Sequence, residues 1–319
     1  IRMFAAEEDA DIVVKHCAEP LHGYMRHTVK VTMGDKQTSA QIEGAALDEQ
    51  PMIKKRLDKR AAKLAVYQCM VQLTGRTQPW GSLTGVRPVN LLRQLEAEGA
   101  RDQFVEMLGV HPEKAQLAES IIERQDAMMR ETDQSSLCIY VGIPFCPTRC
   151  AYCSFVSQSV ERSFALVPPY VDALCGEISA GGEMVRRAGL RVRTFYMGGG
   201  TPTTLTAEQM DRVLTAFETS FDRTACEEIT VEAGRPDTIT AEKLAVLRTH
   251  GVTRVSVNPQ TFEENVLRAI GRCHTAADID RAMELVARCG FPHVNMDLIA
   301  GLPEDTAEGL RQSLDRCLT

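Results

Sequence analysis

The chain has 319 residues, of which 44% are hydrophobic and 25% are charged, so it is long enough for two domains and can bury a hydrophobic core. That composition excludes disordered, collagen-like and low-complexity proteins. The formal net charge of −7 at pH 7 gives no overall attraction to nucleic acid or to an anionic membrane, so we expect neither as a partner.

Apolar runs and cysteine usage indicate where the protein works. No apolar run reaches the roughly 18 residues of a membrane-spanning helix, and no signal-peptide core follows the first four residues. The eleven cysteines are odd in number and spread along the chain, which is typical of a reducing cytoplasm. We expect a soluble cytoplasmic protein. The chain starts with Ile1 and stops at Thr319 inside an amphipathic helical pattern, which predicts a fragment of a longer protein.

Residues 1–135 mix strand and helix patterns. Alternating residues favour strands at 11–14 and 28–32, with a turn at 33–36. Between residues 50 and 130 the apolar residues recur every three or four positions, which predicts helices. We therefore predict a small N-terminal α+β domain over 1–135, to which the sequence assigns no role.

One loop of this domain stands out by its composition. Residues 75–88 hold the only tryptophan, Trp80, and the run Leu83-Thr84-Gly85-Val86-Arg87-Pro88, in which Pro88 is suited to open a helix. A packed turn and a binding loop both remain open as interpretations of this segment.

After a polar stretch at 131–136 the pattern changes to alternating strands and helices. Five short apolar runs, at 138–142, 194–197, 229–232, 254–257 and 293–297, are separated by four helical patterns. Thr206 and Gln209 form a predicted capping box, and Gly290 lies where a helix would end. This order predicts an α/β domain over 136–319 with a parallel sheet, open or closed into a barrel. Functional residues should lie at the carboxyl ends of its strands.

Three closely spaced cysteines follow the first of these strands. Cys146, Cys150 and Cys153 are separated by three and then two residues. Zinc would need a fourth protein ligand at a comparable spacing, and ferredoxin clusters use four cysteines each. Three thiolates fit a 4Fe-4S cluster whose fourth iron takes a ligand that is not protein. Chance clustering among eleven cysteines is the alternative.

The second strand ends in the run Gly198-Gly199-Gly200-Thr201-Pro202-Thr203. Without side chains, the backbone N–H and C=O groups of these glycines can approach a ligand closely. An ordinary loop would explain the glycines alone. Because the glycine run and the cysteine loop follow consecutive strands, we interpret them together as one site.

These motifs resemble the radical S-adenosylmethionine superfamily, and within it the oxygen-independent coproporphyrinogen III dehydrogenase-like family, on the branch with an extra N-terminal domain. The pattern is Tyr140-x-x-Ile143-Pro144-Phe145-Cys146-x3-Cys150-x2-Cys153 followed by the glycine run, and the resemblance covers residues 138–319. It implies a partial (β/α)6 barrel whose last strand, with a further C-terminal domain, lies beyond Thr319. The three cysteines would hold a 4Fe-4S cluster, and S-adenosyl-L-methionine would chelate its fourth iron and give a 5′-deoxyadenosyl radical.

The resemblance also implies a set of cofactor-binding residues. Each of its polar side chains, taken singly, could instead be an ordinary surface or helix-capping group. No catalytic residue is predicted among them. The positions that match the family pattern are Tyr140, Tyr152, Gly199, Gly200, Thr201, Glu232, Gln260, Arg272 and Asp297. For Gly200, a branched substituent is expected to block the cofactor while leaving the cluster formed.

Two departures from the family pattern bear on the substrate. Gly142 stands where the family has histidine, and Phe155 stands where dehydrogenases carry a further cysteine. In the second respect the sequence resembles relatives that act as heme chaperones.

Three functions follow from the resemblance. The first is oxidative decarboxylation of porphyrinogen propionates to vinyl groups in heme biosynthesis. Arg191, Arg193 and Arg235 are candidates for contacting the carboxylates by sequence only, and a solvated role is favoured for each. The alternatives are a heme-binding chaperone of the same fold and a radical enzyme that modifies heme. The implied partners are a porphyrinogen or heme and an electron donor such as flavodoxin or ferredoxin.

Overall fold

The computed structural model describes residues 12–130, 133–155 and 157–318. Asp11, in the predicted strand 11–14, and residues 131 and 132, in the predicted linker, lie outside these ranges. The chain divides into two compact units, Ile1–Thr132 and Asp133–Thr319. Among the described helices, none is long and apolar enough to cross a membrane.

The first unit begins with an antiparallel sheet in the order β1-β2-β3. The predicted turn is confirmed, since Met33 pairs with Lys36 across it. The sheet buries Val29 and Val31 against Leu64 and Met70 of the long helix α1, and a second core surrounds the two later helices. The elements are β1 (Ile12–Leu21), β2 (Tyr24–Met33), β3 (Lys36–Ala46), α1 (Pro51–Thr74), α2 (Pro88–Ala97) and α3 (Pro112–Arg130).

The second unit contains a sheet of five parallel strands in the order β10-β9-β8-β7-β4, with a separate parallel pair formed by β5 and β6. Its strands are β4 (Ser136–Ile143), β5 (Phe145–Cys146), β6 (Gln158–Ser159), β7 (Arg191–Gly199), β8 (Glu228–Glu232), β9 (Arg254–Gln260) and β10 (His293–Leu298). Its helices are α4 (Val160–Ser163), α5 (Val167–Arg187), α6 (Ala207–Ser220), α7 (Ala241–Thr249), α8 (Glu264–Ala269), α9 (Ala276–Cys289) and α10 (Ala307–Leu318). All five predicted strands are present, and the α/β prediction is confirmed.

Helices cover one face of this sheet because the strands alternate in polarity. Phe195 and Met197 of β7 and Val231 of β8 are buried in the core with apolar residues of α5 and α6, including Val171 and Phe217. The residues between them on each strand point to the other face. The predicted capping box of Thr206 is present at the start of α6, and Gly290 ends α9 in the left-handed conformation.

Candidate functional site

Polar residues line the uncovered face of the parallel sheet near the carboxyl ends of its strands. Strand pairing aligns Tyr140 with Tyr196 and Glu232 with Ser256, and Ser256 in turn with Asn295. On β4, β7, β8 and β9 each of these residues is one step along its strand from a residue of the apolar core, as a period of two requires. The face that the helices leave uncovered is therefore the one that carries chemistry.

The cysteine loop leaves β4 through β5, which contains Cys146, and is held at both ends of its turn. The Thr148 hydroxyl donates to the Gly271 carbonyl at 2.9 Å, and the Ala151 N–H donates to the Ile270 carbonyl at 3.0 Å. Cys146 and Cys150 are buried and Cys153 is half-buried. Among the described residues, no three His, Cys, Asp or Glu side chains converge as ligands of one metal ion. A cluster makes a different demand, because each thiolate binds its own iron.

A buried arginine faces this loop. Arg235, which is 3% exposed, donates to the Cys150 Sγ at 3.1 Å, to the Thr148 carbonyl at 2.7 Å and to the Thr148 hydroxyl at 3.1 Å. These hydrogen bonds hold the guanidinium against the cysteine loop, and a contact of Arg235 with substrate carboxylates stays a prediction. Arg235 places a positive charge beside the Cys150 sulfur.

The other two candidate arginines lie at the opposite end of the sheet. Arg191 and Arg193 open β7 at its amino end, where they pair with Asp133 and Glu227. Strand direction places both side chains away from the cysteines, so the surface role that the sequence favours fits them better than contact with substrate carboxylates.

The glycine run is bonded to the end of β4 and to the cysteine loop. The Gly200 N–H donates to the Ile143 carbonyl at 2.7 Å, and the Thr201 N–H donates to the Phe145 carbonyl at 2.8 Å. Gly199 has a φ of 106°, which favours glycine. A Cβ at Gly200 would lie 2.6 Å from the Phe145 carbonyl and 3.0 Å from the Cys146 Sγ. A substituent there would press on the cysteine loop itself, which argues against the expectation that it spares the cluster.

Glu232 is a half-buried carboxylate beside two stacked tyrosines. The Tyr196 hydroxyl donates to it, and the Tyr140 ring stacks on Tyr196 with 5.9 Å between centroids. Burial and the nearby Asp297 charge raise the pKa of Glu232, although the Tyr196 hydrogen bond and the Gly199 N–H oppose this. Burial, followed by the Glu232 charge, raises the pKa of Tyr196, so its phenol keeps the proton that it donates.

Gln260 and Arg272 leave polar atoms without partners. Gln260 is 7% exposed, has a φ of 69°, and its side-chain oxygen has no partner among the described residues. Arg272 donates to the Asn258 carbonyl and to the Tyr152 hydroxyl at 3.1 Å, yet its buried Nε has no described partner. Buried polar groups are normally paired, and a non-glycine residue at positive φ indicates a functional constraint.

These groups meet in one cavity of about 330 Å³. Of the predicted cofactor residues, only Tyr140 is absent from its lining. That side chain is 61% exposed and stacks on Tyr196, whose hydroxyl donates to Glu232 in the cavity wall. The cavity wall includes Cys146, Cys150, Cys153, Tyr152, Gly199, Gly200, Thr201, Glu232, Gln260, Arg272 and Asp297, together with Phe155, Arg235 and Asn258. The residues fit an iron–sulfur cluster with a zwitterionic cofactor beside it, since thiols, unpaired hydrogen-bonding atoms and carboxylates share one space.

Comparison with known proteins identifies the class. A family model described as the radical SAM superfamily matches residues 140–317, and the chain belongs to that superfamily. The oxygen-independent coproporphyrinogen-III oxidase-like protein HemZ of Bacillus subtilis (strain 168) is 42% identical over 260 residues, which is 78% of this chain and 52% of the relative. The resemblance to coproporphyrinogen oxidase-like proteins is therefore confirmed.

Two further relatives extend the comparison. The heme chaperone HemW of Lactococcus lactis subsp. lactis (strain IL1403) is 35% identical over 179 residues, or 56% of this chain and 45% of the relative. The structure of coproporphyrinogen III oxidase (HemN) from Escherichia coli, described as a radical SAM enzyme, matches with a TM-score of 0.51 and 31% identity over 57% of this chain and 41% of that one. The chain spans about half the length of the curated relatives it matches.

Sequence reasoning missed three residues of the site. Tyr196 precedes the glycine run by two residues, Asn258 precedes Gln260 by two, and Thr148 lies inside the cysteine loop. For Tyr196 and Asn258 a signal was available, because the period of two along a strand puts them on the same face as the residues already chosen.

Proposed function

We propose that this chain provides the cofactor-binding part of a radical SAM enzyme that oxidatively decarboxylates a porphyrinogen. The observation that carries the proposal is the convergence of three thiols, a glycine run and buried unpaired polar atoms in one cavity at the carboxyl ends of parallel strands. The relatives named coproporphyrinogen oxidase or oxidase-like supply the substrate class.

In this proposal Cys146, Cys150 and Cys153 hold a 4Fe-4S cluster. The residues that hold S-adenosyl-L-methionine are Tyr140, Tyr152, Gly199, Gly200, Thr201, Glu232, Gln260, Arg272 and Asp297. When bound, the cluster and S-adenosyl-L-methionine would supply a carbon-centred radical that removes a hydrogen atom from substrate. The electron would come from a donor such as flavodoxin or ferredoxin.

The protein's own residues prepare this site in three ways. Hydrogen bonds from Thr148 and Ala151 fix the cysteine loop against residues 270 and 271. Arg235 adds positive charge next to Cys150, which offsets negative charge on a cluster. The Gln260 carboxamide oxygen is free to accept a hydrogen bond from a ligand amine or hydroxyl.

The proposed reaction removes one hydrogen atom from the carbon β to a propionate carboxylate. The carboxylate then leaves as carbon dioxide, one electron passes to an acceptor, and a vinyl group remains. The test is to supply the full-length, cluster-reconstituted protein with coproporphyrinogen III, S-adenosyl-L-methionine and a reductant, and to measure vinyl product and carbon dioxide. Absence of both from a preparation that still cleaves S-adenosyl-L-methionine would refute this substrate assignment.

A heme chaperone of the same fold is the second candidate, and Phe155 favours it. This side chain is 62% exposed on the cavity wall, where the dehydrogenase pattern has cysteine, and it offers an apolar surface to a macrocycle. A relative named heme chaperone HemW matches 56% of this chain. Stoichiometric heme binding that Phe155→Ala weakens, without consumption of porphyrinogen, would favour the chaperone over the enzyme. The third reading, a radical enzyme that modifies heme, predicts a changed heme product in the same assay.

A further inference from the structure

A second cavity, of about 390 Å³, lies within the first unit and is lined by basic side chains. Four of these belong to α1, and the fifth is Arg87 of the loop that sequence analysis singled out. Positions 56, 59, 60 and 63 follow the three-and-four spacing of one helix face. The basic residues are Arg56, Lys59, Arg60, Lys63 and Arg87, and no Asp or Glu belongs to the lining.

The basic side chains of this cavity form no ion pair with a carboxylate in the part of the chain that the structure describes. Arg60 is half-buried, and the other four are exposed. None of the five lies within salt-bridge distance of a described carboxylate, although such pairs are common elsewhere in a protein whose net charge is −7. Like charges three and four positions apart on a helix repel. Burial and the Arg56 charge lower the pKa of Arg60, and the Glu98 charge opposes them. A bound anion would relieve this repulsion.

The loop that carries Arg87 is held against the helix. The Lys63 Nζ donates to the Thr84 carbonyl at 2.8 Å, and the Ser82 hydroxyl donates to the Leu108 carbonyl at 3.1 Å. These bonds connect three segments of the unit and give the cavity a fixed wall.

The floor of the cavity is apolar. Leu91 and Leu108 are buried beneath it, Leu83 is half-buried, and Val86 is 44% exposed on its rim. Charged groups on one wall and apolar groups on the floor are typical of sites for small amphipathic molecules, in which a few polar groups fix orientation. The concave shape favours such a molecule over an extended nucleic acid or acidic peptide.

We propose that this cavity binds a small organic anion that carries at least two carboxylate or phosphate groups on an apolar body. The guanidinium groups of Arg56, Arg60 and Arg87 bind its anionic oxygens, since arginine suits bidentate contacts to both kinds of group. Leu83 and Val86 contact its apolar part. This site is separate from the cavity that holds the cysteines, and the proposal goes beyond the proposed reaction.

Trp80, the only tryptophan of the chain, lies in the same loop, so its fluorescence is the signal to follow. Two probes distinguish the source of the anionic groups: coproporphyrin III carries carboxylates on an apolar ring, and geranyl diphosphate carries a diphosphate on an apolar chain. We expect a saturable change in Trp80 fluorescence with at least one of them in the full chain without cluster or cofactor. Because this binding needs neither the cluster nor S-adenosyl-L-methionine, its failure is distinguishable from failure of the proposed reaction.

Paired variants test where the probe binds. We expect Arg60→Gln combined with Arg87→Gln to weaken binding about tenfold or more. The control is Lys30→Gln combined with Lys36→Gln, which removes the same charge from exposed positions of the sheet in the same unit and should change affinity less than about twofold. Circular dichroism would establish that both proteins are folded. The proposal would be overturned if neither probe gives a saturable response up to about 1 mM. It would also be overturned if the control variant loses as much affinity as Arg60→Gln combined with Arg87→Gln.

Discussion

Gln260 should tolerate glycine better than alanine, although alanine is the more stable residue in regular structure. It ends β9 with a φ of 69°, and its backbone carbonyl accepts the Ile299 N–H at 3.0 Å, so neighbouring structure fixes this conformation. A left-handed conformation costs an L-residue about 1–2 kcal/mol, and glycine avoids that cost. Glycine loses about 0.5–1 kcal/mol relative to alanine through its freedom in the unfolded chain.

The difference leaves glycine favoured at this position by about 0.5–1 kcal/mol. For a unit of this size each kcal/mol corresponds to about 2–4 °C in Tm, so Gln260→Gly should unfold about 1–4 °C above Gln260→Ala. Gln312, an exposed residue of α10, is the matched control. There, Gln312→Ala should be more stable than Gln312→Gly by about 1 kcal/mol.

Calorimetry on the four variants measures this order directly, and titration with S-adenosyl-L-methionine measures the second consequence. Both variants at 260 lack the carboxamide, so both should bind the cofactor about three- to tenfold more weakly than the parent protein, as expected for one lost hydrogen bond. If Gln260→Ala is more stable than Gln260→Gly, the strain argument is refuted. If cofactor affinity is unchanged in both, the role assigned to the carboxamide is refuted.

Three other predictions concern the same cavity. Gly200→Ala should abolish iron incorporation as well as cofactor binding, because its Cβ would meet the Phe145 carbonyl and Cys146 Sγ; a normal iron content after anaerobic reconstitution would contradict this. Glu232→Gln should stabilise the protein at pH 7–8, because burial and Asp297 raise the pKa of this carboxyl. The folded state then binds the proton more tightly than the unfolded state, in which the pKa of this carboxyl is about 4.5. The gain in stability should therefore disappear below that pH. Measuring Tm against pH tests this, and an equal gain at pH 4 would be inconsistent with the stated cause. Arg235→Met should lower stability by about 2–4 kcal/mol through loss of its buried hydrogen bonds. It should also lower the midpoint potential of the cluster, whereas Arg235→Lys, which keeps the charge, should lower that potential less. Identical potentials of the two variants in redox titration would rule out the electrostatic role.

The sequence was sufficient to predict the α/β unit because local signals agreed along it. Apolar runs located all five parallel strands, although β7 and β9 extend two or more residues past the predicted ends. The capping box at Thr206 and the glycine at 290 marked helix ends through contacts within four residues. Signals of this kind depend on short stretches of chain, so they can be recognised from the sequence before the fold is known.

The interactions around the cysteine loop were not predictable in this way. Arg235 reaches Cys150 from 85 residues away, and Arg272 reaches Tyr152 from 120 residues away. Such contacts depend on how strands are ordered in the sheet, and neither composition nor periodicity encodes that order. Arg191, Arg193 and Arg235 were grouped by charge alone, and the fold separates them.

Cofactor cleavage tests the central claim, that the cavity holds a cluster and S-adenosyl-L-methionine together. The anaerobically reconstituted protein should contain about four irons per chain and should yield 5′-deoxyadenosine when given the cofactor and a strong reductant, as measured by mass spectrometry. Cys153→Ala should yield none under the same conditions. Absence of 5′-deoxyadenosine from protein with a full complement of iron, or equal yields from the parent and Cys153→Ala, would contradict the account.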